Sequence, residues 1–227
     1  MYDKRQIKEN IERIIKEING RAALLAATKT VPPEIINFAA DCGITLIGEN
    51  RVQELLEKYD KIDRDRLDIH FIGHLQRNKV KYIIDKVSLI HSVDSLALAQ
   101  TIDQYAYRAG KRMDVLVEVN IGNEPSKYGI QFEEIDELIE KISALENIRV
   151  RGLMAIPPVC ENSQENIVFF KKLSKKFIDI FGKKVDNSNI GILSIGMSND
   201  YLQAIECGST LVRIGSAIFG PRDYSKV

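Results

Sequence analysis

Eight short apolar runs spaced along almost the whole chain constrain the fold more than any other feature. They are nearly continuous in apolar residues, as expected for strands of a parallel sheet that is covered on both faces. Their starts lie 18 to 42 residues apart, which leaves room for one helix after most of them. The eight runs cover residues 23–28, 44–48, 68–73, 88–93, 114–120, 149–156, 191–196 and 209–215.

Stretches with helical periodicity separate these runs, and glycines follow several of them where helix C-caps are expected. Eight βα units in 227 residues predict an α/β fold, a single (β/α)8 barrel of the TIM type. An open doubly wound sheet is the alternative, although it usually carries GxGxxG after its first strand, where this chain has TKT at 28–30. The helical stretches lie at 32–43, 50–59, 94–110, 133–145 and 163–181, and the glycines are Gly43, Gly110, Gly182 and Gly208.

One extra helix precedes the first strand. Isoleucines recur at helical spacing from Ile7 to Ile18, and Asn19-Gly20 supply a stop signal. We therefore expect one domain over residues 1–227, with the N-terminal helix in 1–20 and the barrel in 22–220.

The charge balance is neutral, with 32 Lys plus Arg against 32 Asp plus Glu. That balance excludes the basic surface of a general nucleic-acid binder. No apolar stretch approaches the roughly 20 residues that span a bilayer. We expect neither a nucleic acid nor a membrane as partner, and any anion must be held by a local arrangement.

Three widely spaced cysteines, Cys42, Cys160 and Cys207, form no CxxC motif. They predict neither a disulfide framework nor a zinc site, and they indicate thiols in a reducing cytoplasm. No pair of histidines with a carboxylate has the spacing of metal ligands, so we expect no metal site.

The chemistry of a (β/α)8 barrel sits at the carboxyl ends of its strands. Lys29 follows the first run and shares a strand face with Leu25 and Ala27. If those two point inward, Lys29 projects into the barrel mouth. Apolar surroundings favour the neutral amine, which can attack a carbonyl carbon and form a Schiff base. An ordinary exposed lysine at a strand end is the alternative.

The seventh and eighth runs carry an anion-binding pattern. The seventh leads into Met197 and Ser198, and Ser198 is expected to cap a helix. The eighth ends in Arg213, followed by Gly215 and Ser216. Small residues on neighbouring loops let backbone N–H groups approach a phosphate, which barrels often bind at this place. Ordinary turn and cap chemistry is the alternative. Together with a lysine nucleophile, the pattern fits a phosphorylated aldehyde, either pyridoxal 5′-phosphate or a sugar phosphate.

Other polar groups near the predicted mouth are less specific. His74 could act as an acid or base, but a structural role is favoured. His70 and His91 lie inside strand runs and are interpreted as hydrogen-bonded structural histidines. Lys127 lies in a polar loop after the fifth run, and Met154 could pack on a ligand ring or belong to the core.

Six sequence blocks occur in order along the chain: TKTVPPE (28–34), IGENRVQE (47–54), HFIGHLQRNK (70–79), RGLMAIPP (151–158), SIGMSNDYLQAI (194–205) and STLVRIGSAIFGPRDY (209–224). Together they closely resemble the pyridoxal-phosphate homeostasis proteins, the YggS/PROSC-like family, whose fold is similar to the N-terminal barrel of alanine racemase. The resemblance extends from about Ala22 to Tyr224.

The resemblance implies roles for individual residues. Lys29 would carry the Schiff base, Arg213 would face the pyridine nitrogen, and Lys127 would be the second lysine of the site. Some members carry another lysine where this chain has Val31, and some have proline at the position of His74, which makes a catalytic role for His74 doubtful. The phosphate would be held by Ser198, Gly215 and Ser216, with the backbone of Met197 contributing, and Asn50 and Met154 would lie beside the ring.

An arginine at the pyridine nitrogen disfavours protonation of that nitrogen, which makes the cofactor a weaker electron sink. The chain ends at Val227, just after the eighth strand, so we expect no racemase-type second domain and a monomer. The resemblance implies a non-enzymatic carrier of pyridoxal 5′-phosphate that supplies apo-enzymes, with no established catalytic residue. A pyridoxal-phosphate-dependent amino-acid racemase and a Schiff-base enzyme acting on a phosphorylated sugar are the alternatives.

Overall fold

Eight parallel strands close into a barrel in the order in which they occur along the chain. The computed structural model describes residues 2–158, 163–181 and 191–221. Strand β1 pairs with β2 on one side and with β8 on the other, which closes the barrel. The predicted (β/α)8 fold is confirmed, and the open doubly wound sheet was the wrong alternative. The strands are β1 (Ala23–Ala27), β2 (Leu46–Glu49), β3 (Asp68–Phe71), β4 (Leu89–Val93), β5 (Met113–Val119), β6 (Ile148–Ala155), β7 (Ile192–Ser194) and β8 (Leu211–Ile214).

Helices follow the strands and surround the barrel. The five predicted helical stretches are all present, while the short α4 and α9 were not predicted because neither completes two helical turns. The helices are α1 (Lys4–Ile18), α2 (Pro33–Asp41), α3 (Val52–Tyr59), α4 (Val80–Ile83), α5 (Leu96–Arg108), α6 (Ile135–Ser143), α7 (Asn166–Phe181), α8 (Tyr201–Glu206) and α9 (Ser216–Phe219).

The extra N-terminal helix α1 begins and ends where the sequence predicts. The Asp3 carboxylate accepts from the backbone N–H groups of the first turn, and Asn19 ends the helix in the left-handed conformation with φ 48°. The apolar stripe that includes Ile7, Ile11 and Ile14 is buried. Helix α1 lies against α2, α8 and α9, on the outside of the ring.

The core has two layers, because successive side chains of a strand point to opposite faces. The outer layer lies between strands and helices and includes Phe71 and Ile90. The inner layer fills the barrel, where Leu25 packs with Ile72. A Cβ on Gly48 would lie 2.5 Å from Leu25 Cδ2, so the interior is closely filled at this level. The inner layer is therefore a packed core, and the space for chemistry lies above it.

The glycine caps follow the sequence prediction where the structure describes them, and two of the three cysteines are described. Cys42 and Cys207 are free thiols, and burial raises the pKa of each. Gly43, Gly110 and Gly208 all have positive φ. Cys160 and Gly182 lie outside the described residues. None of the helices in the described ranges is long and apolar enough to cross a membrane.

Candidate functional site

The carboxyl ends of the eight parallel strands meet at one end of the barrel, here called the mouth. All the residues that the sequence predicts for a cofactor site belong to the upper parts of strands or to the loops that follow them. The residues are Lys29 after β1, Asn50 after β2, Lys127 after β5, Met154 in β6, Met197 and Ser198 after β7, Arg213 in β8, and Gly215 and Ser216 after β8. The strands that carry Lys29, Ser198 and Arg213 are neighbours in the barrel, since β7 pairs with β8 and β8 with β1.

Lys29 is half-buried two residues after the end of β1. Among the residues that the structure describes, no hydrogen bond or ion pair engages its amine. Its two neighbours are fixed on the outer side. Thr28 Oγ1 donates to Glu49 Oε1 at 2.6 Å, and the Thr30 backbone N–H donates to Glu54. Thr30 has φ 65°, so the chain turns sharply just beyond the lysine. The Lys29 amine is therefore unengaged in the described structure, while the contacts of Thr28 and Thr30 fix the backbone on both sides of it.

A largely buried group of charges, here called the Lys58 cluster (Glu49, Glu54 and Lys58), holds this loop from the outer side of the barrel. Lys58 Nζ lies 2.9 Å from Glu49 Oε1 and 2.6 Å from Glu54 Oε1, and it donates to the Thr28 carbonyl at 2.9 Å. Glu49 is fully buried at the end of β2, and burial raises the pKa of its carboxyl against the opposing effects of Lys58 and Thr28. The Lys58 cluster therefore ties the end of β1, the end of β2 and α3 together beside Lys29, on the outer side of the barrel.

A cavity of about 880 Å³ lies outside the barrel next to the same loop, between α1, α3 and α9. Thr30, Val31 and Lys58 line it, but Lys29 does not. Val31 is buried on this outer side.

Ser198 gathers two backbone donors from the neighbouring loop. Its Oγ accepts from the N–H groups of Gly215 at 3.3 Å and Ala217 at 3.2 Å. These two N–H donors therefore converge on one small region, and converging backbone N–H groups are a common means of binding anions in proteins. The expectation that Ser198 caps a helix is wrong. The N-cap of α8 is Asp200, two residues later, and Asp200 Oδ1 accepts from the Met197 N–H at 2.7 Å.

Arg213 is buried in β8 with its guanidinium inside the barrel. Nη1 donates to the carbonyl of Ser194 at 2.7 Å and to its hydroxyl at 2.5 Å, and Nη2 donates to the Ala155 carbonyl at 3.0 Å. All these acceptors are neutral, and within the described ranges no carboxylate lies within ion-pair distance. Burial lowers the pKa of Arg213 to about 10, although Glu118 and Asp200 raise it. The group is charged at neutral pH and lacks an anionic partner.

Glu118 is a second buried charge in the interior, on β5. Burial raises the pKa of its carboxyl to about 7, the nearby Asp94 raises it further, and Arg213 lowers it. Glu118 Oε2 is buried without a hydrogen-bond partner in the described structure. A carboxyl that titrates near neutrality inside a barrel mouth can donate or accept a proton.

The two remaining ring-side predictions differ in setting. Asn50 follows β2 and is half-buried, and its backbone lies so close to β3 that a Cβ on Gly73 would come within 2.1 Å of the Asn50 carbonyl oxygen. Met154 is fully buried and packs with Leu89 and Leu116. Met154 therefore belongs to the inner core layer, directly below the mouth.

The rim of the mouth is formed by the loops after β3 and β5. Lys127 Nζ lies 2.5 Å from Glu124 Oε2 and donates to the Pro157 carbonyl at 2.8 Å. The His74 ring stacks on Tyr128, with ring centroids 3.7 Å apart, and His74 Nδ1 lies 3.7 Å from Asp94 Oδ2. Glu124 and Pro157 thus hold the Lys127 amine at the rim. His74, in the loop after β3, contacts Tyr128 in the loop after β5 and Asp94 after β4.

Sequence reasoning missed four polar positions of the interior and its wall: Glu118, Ser194, Glu49 and Lys58. The first two interrupt otherwise apolar strand runs on the face that points into the barrel, which is the signal that could have revealed them. His70 and His91 were interpreted as hydrogen-bonded structural histidines, and the structure shows both in buried hydrogen bonds. No group of three potential metal ligands occurs within the described ranges.

The family model of the alanine racemase N-terminal domain matches residues 2–223. The pyridoxal phosphate homeostasis protein of Aquifex aeolicus is 44% identical over 226 residues, covering 95% of this chain and 98% of the relative. The protein of that name in Escherichia coli is 40% identical over 206 residues, covering 89% and 87%.

Solved structures are similar to this chain over nearly its whole length. The PipY protein of Synechococcus elongatus, whose structure holds pyridoxal phosphate, superposes with a TM-score of 0.85 at 29% identity, covering 94% of this chain and all of that one. An alanine racemase of Clostridium difficile shares the fold at 20% identity, with a TM-score of 0.73, covering 98% of this chain and 58% of the racemase. The chain belongs to the family of pyridoxal phosphate homeostasis proteins, built on the barrel of the alanine racemase N-terminal domain.

Proposed function

We propose that this protein binds pyridoxal 5′-phosphate in the barrel mouth, holds it as a Schiff base on Lys29 and supplies it to apo-enzymes. One observation carries the proposal. Among the described residues, three neighbouring strands present an amine without a partner, a buried guanidinium without a carboxylate, and two backbone N–H groups that converge on Ser198. The bound cofactor in the PipY structure supports the same ligand. The reducing cytoplasm inferred from the cysteines is part of this proposal.

The residues of the mouth fit the chemical groups of the cofactor. A buried guanidinium with only neutral acceptors is stabilised by a further acceptor, and a pyridine nitrogen provides one. The loop N–H groups that reach Ser198, together with Ser216, suit the phosphate. The N–H of Met197 already donates to Asp200. In this proposal Met197 therefore helps to form the phosphate site by shaping the loop and not by donating to the phosphate.

Asn50 and Met154 form the remaining walls in this proposal. Asn50 borders the ring from the β2 side, and Met154 closes the floor beneath it. Lys127, at the rim, lies where an incoming ligand first meets the site. The cofactor, when bound, supplies an aldehyde that condenses with an amine to give an imine and water, and a ring that can accept electrons.

The charge of Arg213 disfavours carbanion chemistry on the ring without abolishing it. A guanidinium that is protonated at neutral pH donates to the pyridine nitrogen and opposes protonation of that nitrogen, so the ring withdraws electrons less strongly. Lys29 then holds the aldehyde without a strong drive toward carbanion chemistry. Arg213 and Lys29 together therefore store the cofactor in a protected form.

One observation favours a second candidate, a racemase-type activity on amino acids. Glu118 has a pKa of about 7 in the same interior, which suits a general acid or base. Incubation of the loaded protein with amino acids in deuterated water distinguishes the two functions. Exchange at the α-carbon well above that of the free cofactor, and lost in Glu118→Gln, would establish the enzyme.

Transfer to an apo-enzyme tests the carrier function. The loaded protein is mixed with an apo-form of a pyridoxal-phosphate enzyme, and recovery of that enzyme's activity is compared with the rate of spontaneous release into a phosphatase trap. A carrier predicts recovery that persists in the presence of the trap. Recovery that never exceeds the rate of spontaneous release contradicts direct supply.

A further inference from the structure

A hydrogen-bonded chain of polar side chains crosses the barrel interior and ends at Arg213. Arg213 Nη1 contacts Ser194 Oγ at 2.5 Å, Ser194 Oγ lies 3.1 Å from His91 Nδ1, and His91 Nε2 lies 2.9 Å from His70 Nδ1. At the amino end of β3, His70 Nε2 faces Asp68 Oδ2 at 3.6 Å. The chain therefore runs from the mouth to the opposite end of the barrel through four strands.

The two ends of this chain fix the direction of every hydrogen bond in it. A guanidinium can only donate, so Ser194 Oγ accepts from Arg213. If His91 Nδ1 also donated to that oxygen, the serine hydroxyl proton would lie buried with no acceptor among the described residues, which is costly. Ser194 therefore donates to His91 Nδ1.

The remaining protons follow from the tautomers of the two imidazoles. A neutral His91 that accepts at Nδ1 carries its proton on Nε2 and donates to His70 Nδ1. His70 then carries its proton on Nε2, directed at the Asp68 carboxylate. Burial, with smaller effects of His70 and Arg213, lowers the pKa of His91 well below its usual value, which agrees with a neutral ring. A single proton arrangement satisfies the whole chain.

This arrangement leaves Arg213 little freedom. His91 and Ser194 are both fully buried, so water cannot replace a broken link without opening the core. Nε of Arg213 has no acceptor among the described residues, while Nη1 and Nη2 are held by Ser194 and Ala155. The guanidinium is thus anchored on one side and free to donate on the other.

We propose that His91 and Ser194 are positioning residues that hold the Arg213 guanidinium in one orientation toward the ring nitrogen of the cofactor. The inference rests on the proposed function, since it concerns how that site recognises the ring. Neither residue touches the ligand, and both act through Arg213.

The test compares two ligands and two serine variants. The ligands are pyridoxal 5′-phosphate and its 1-deaza analogue, in which C–H replaces the ring nitrogen. The variants are Ser194→Ala and the control Ser92→Ala, which removes a fully buried hydroxyl on β4 that has no hydrogen-bond partner in the described structure. Ser194→Thr, which keeps the hydroxyl, serves as the rescue.

We expect the wild-type preference for the natural cofactor over the analogue to fall about tenfold in Ser194→Ala, since a hydrogen bond to a charged group is lost. The preference stays near the wild-type value in Ser92→Ala and is restored in Ser194→Thr. A merely structural role would weaken both ligands equally. Equal preference in wild type and Ser194→Ala overturns the inference.

Imidazole ¹⁵N spectra of the protein without cofactor test the chain separately. At pH 7 His91 should be neutral with its proton on Nε2, His70 should accept at Nδ1 from His91, and Ser194→Ala should change the His91 signals. Any other tautomer of His91 in the wild type contradicts the inference. A wild-type protein that binds neither ligand overturns the proposed function, and this inference with it, whereas normal loading with unaltered preference overturns this inference alone.

Discussion

Removing the charge of Lys58 is expected to destabilise the protein strongly and in a pH-dependent way. In Lys58→Met, the fully buried Glu49 loses its ion pair at 2.9 Å, and its Oε2 already lacks a hydrogen-bond partner in the described structure. Leaving a buried charge without its partner costs about 3–5 kcal/mol. That is a large part of the roughly 5–15 kcal/mol that stabilises a typical domain.

The variant can limit this cost by protonating Glu49. Keeping a carboxyl with an ordinary pKa of 4.5 neutral at pH 7 costs about 3 kcal/mol, and at pH 5 less than about 1 kcal/mol. Because the pKa of the folded-state carboxyl lies above its unfolded value, the folded protein binds more protons, and stability rises as pH falls. The deficit of Lys58→Met relative to wild type should therefore shrink by about 2 kcal/mol between pH 7 and pH 5.

Urea unfolding followed by far-ultraviolet circular dichroism measures this difference, since the chain has no tryptophan for fluorescence. Lys141→Met is the matched control. It also removes a lysine from an i,i+4 ion pair, with Glu137, but both side chains are at least half exposed. The control should cost about 0.5 kcal/mol or less. The double variant Lys58→Met/Glu49→Gln should recover most of the loss, because the fully buried carboxylate is gone and the remaining one, Glu54, is partly exposed. A Lys58→Met deficit that matches the control, or that is the same at pH 5 and pH 7, would refute the reasoning.

Three further predictions concern the mouth itself. Glu118→Gln should become more stable than wild type as pH rises through about 7, by up to about 3 kcal/mol, because folding of the wild type then buries an ionised carboxyl. A difference in unfolding free energy that is the same at pH 5 and pH 9 contradicts this. Gly73→Ala should lower the unfolding temperature by several degrees, since the added Cβ would collide with the Asn50 carbonyl oxygen. The control Gly20→Ala, whose Cβ would have nothing within 4 Å, should show only the smaller cost of a positive φ. Ser198→Ala should weaken binding of pyridoxal 5′-phosphate about tenfold and leave pyridoxal, which lacks the phosphate, almost unaffected in equilibrium dialysis; equal losses for both ligands would place Ser198 away from the phosphate.

The fold was predictable because each strand is covered on both faces and carries its own apolar signal. All eight runs became strands, with boundaries displaced by at most two residues, as for β7 (Ile192–Ser194) against 191–196. The short helix α9 was not predicted, since four residues carry too little periodicity to distinguish a helix from a turn.

The candidate site was predictable only in part. The sequence shows which residues lie near the end of a strand, but it does not show which side chains and backbone groups contact each other. Lys29 and Arg213 could be placed by strand alternation. Ser198 was placed in the correct loop, but its role as a helix cap was wrong, because its true partners come from a loop 17 residues later. The link between Ser194 and His91 joins residues 103 positions apart, which no local pattern reveals.

The central claim is that Lys29 forms the covalent bond to the cofactor. The protein is incubated with pyridoxal 5′-phosphate, reduced with borohydride, digested and mapped by mass spectrometry. The account predicts the reduced phosphopyridoxyl group on the peptide that contains Lys29, with the visible absorbance of the imine lost in Lys29→Ala and retained in Lys127→Ala. A label carried mainly by another lysine, or an absorbance band unchanged in Lys29→Ala, would contradict it.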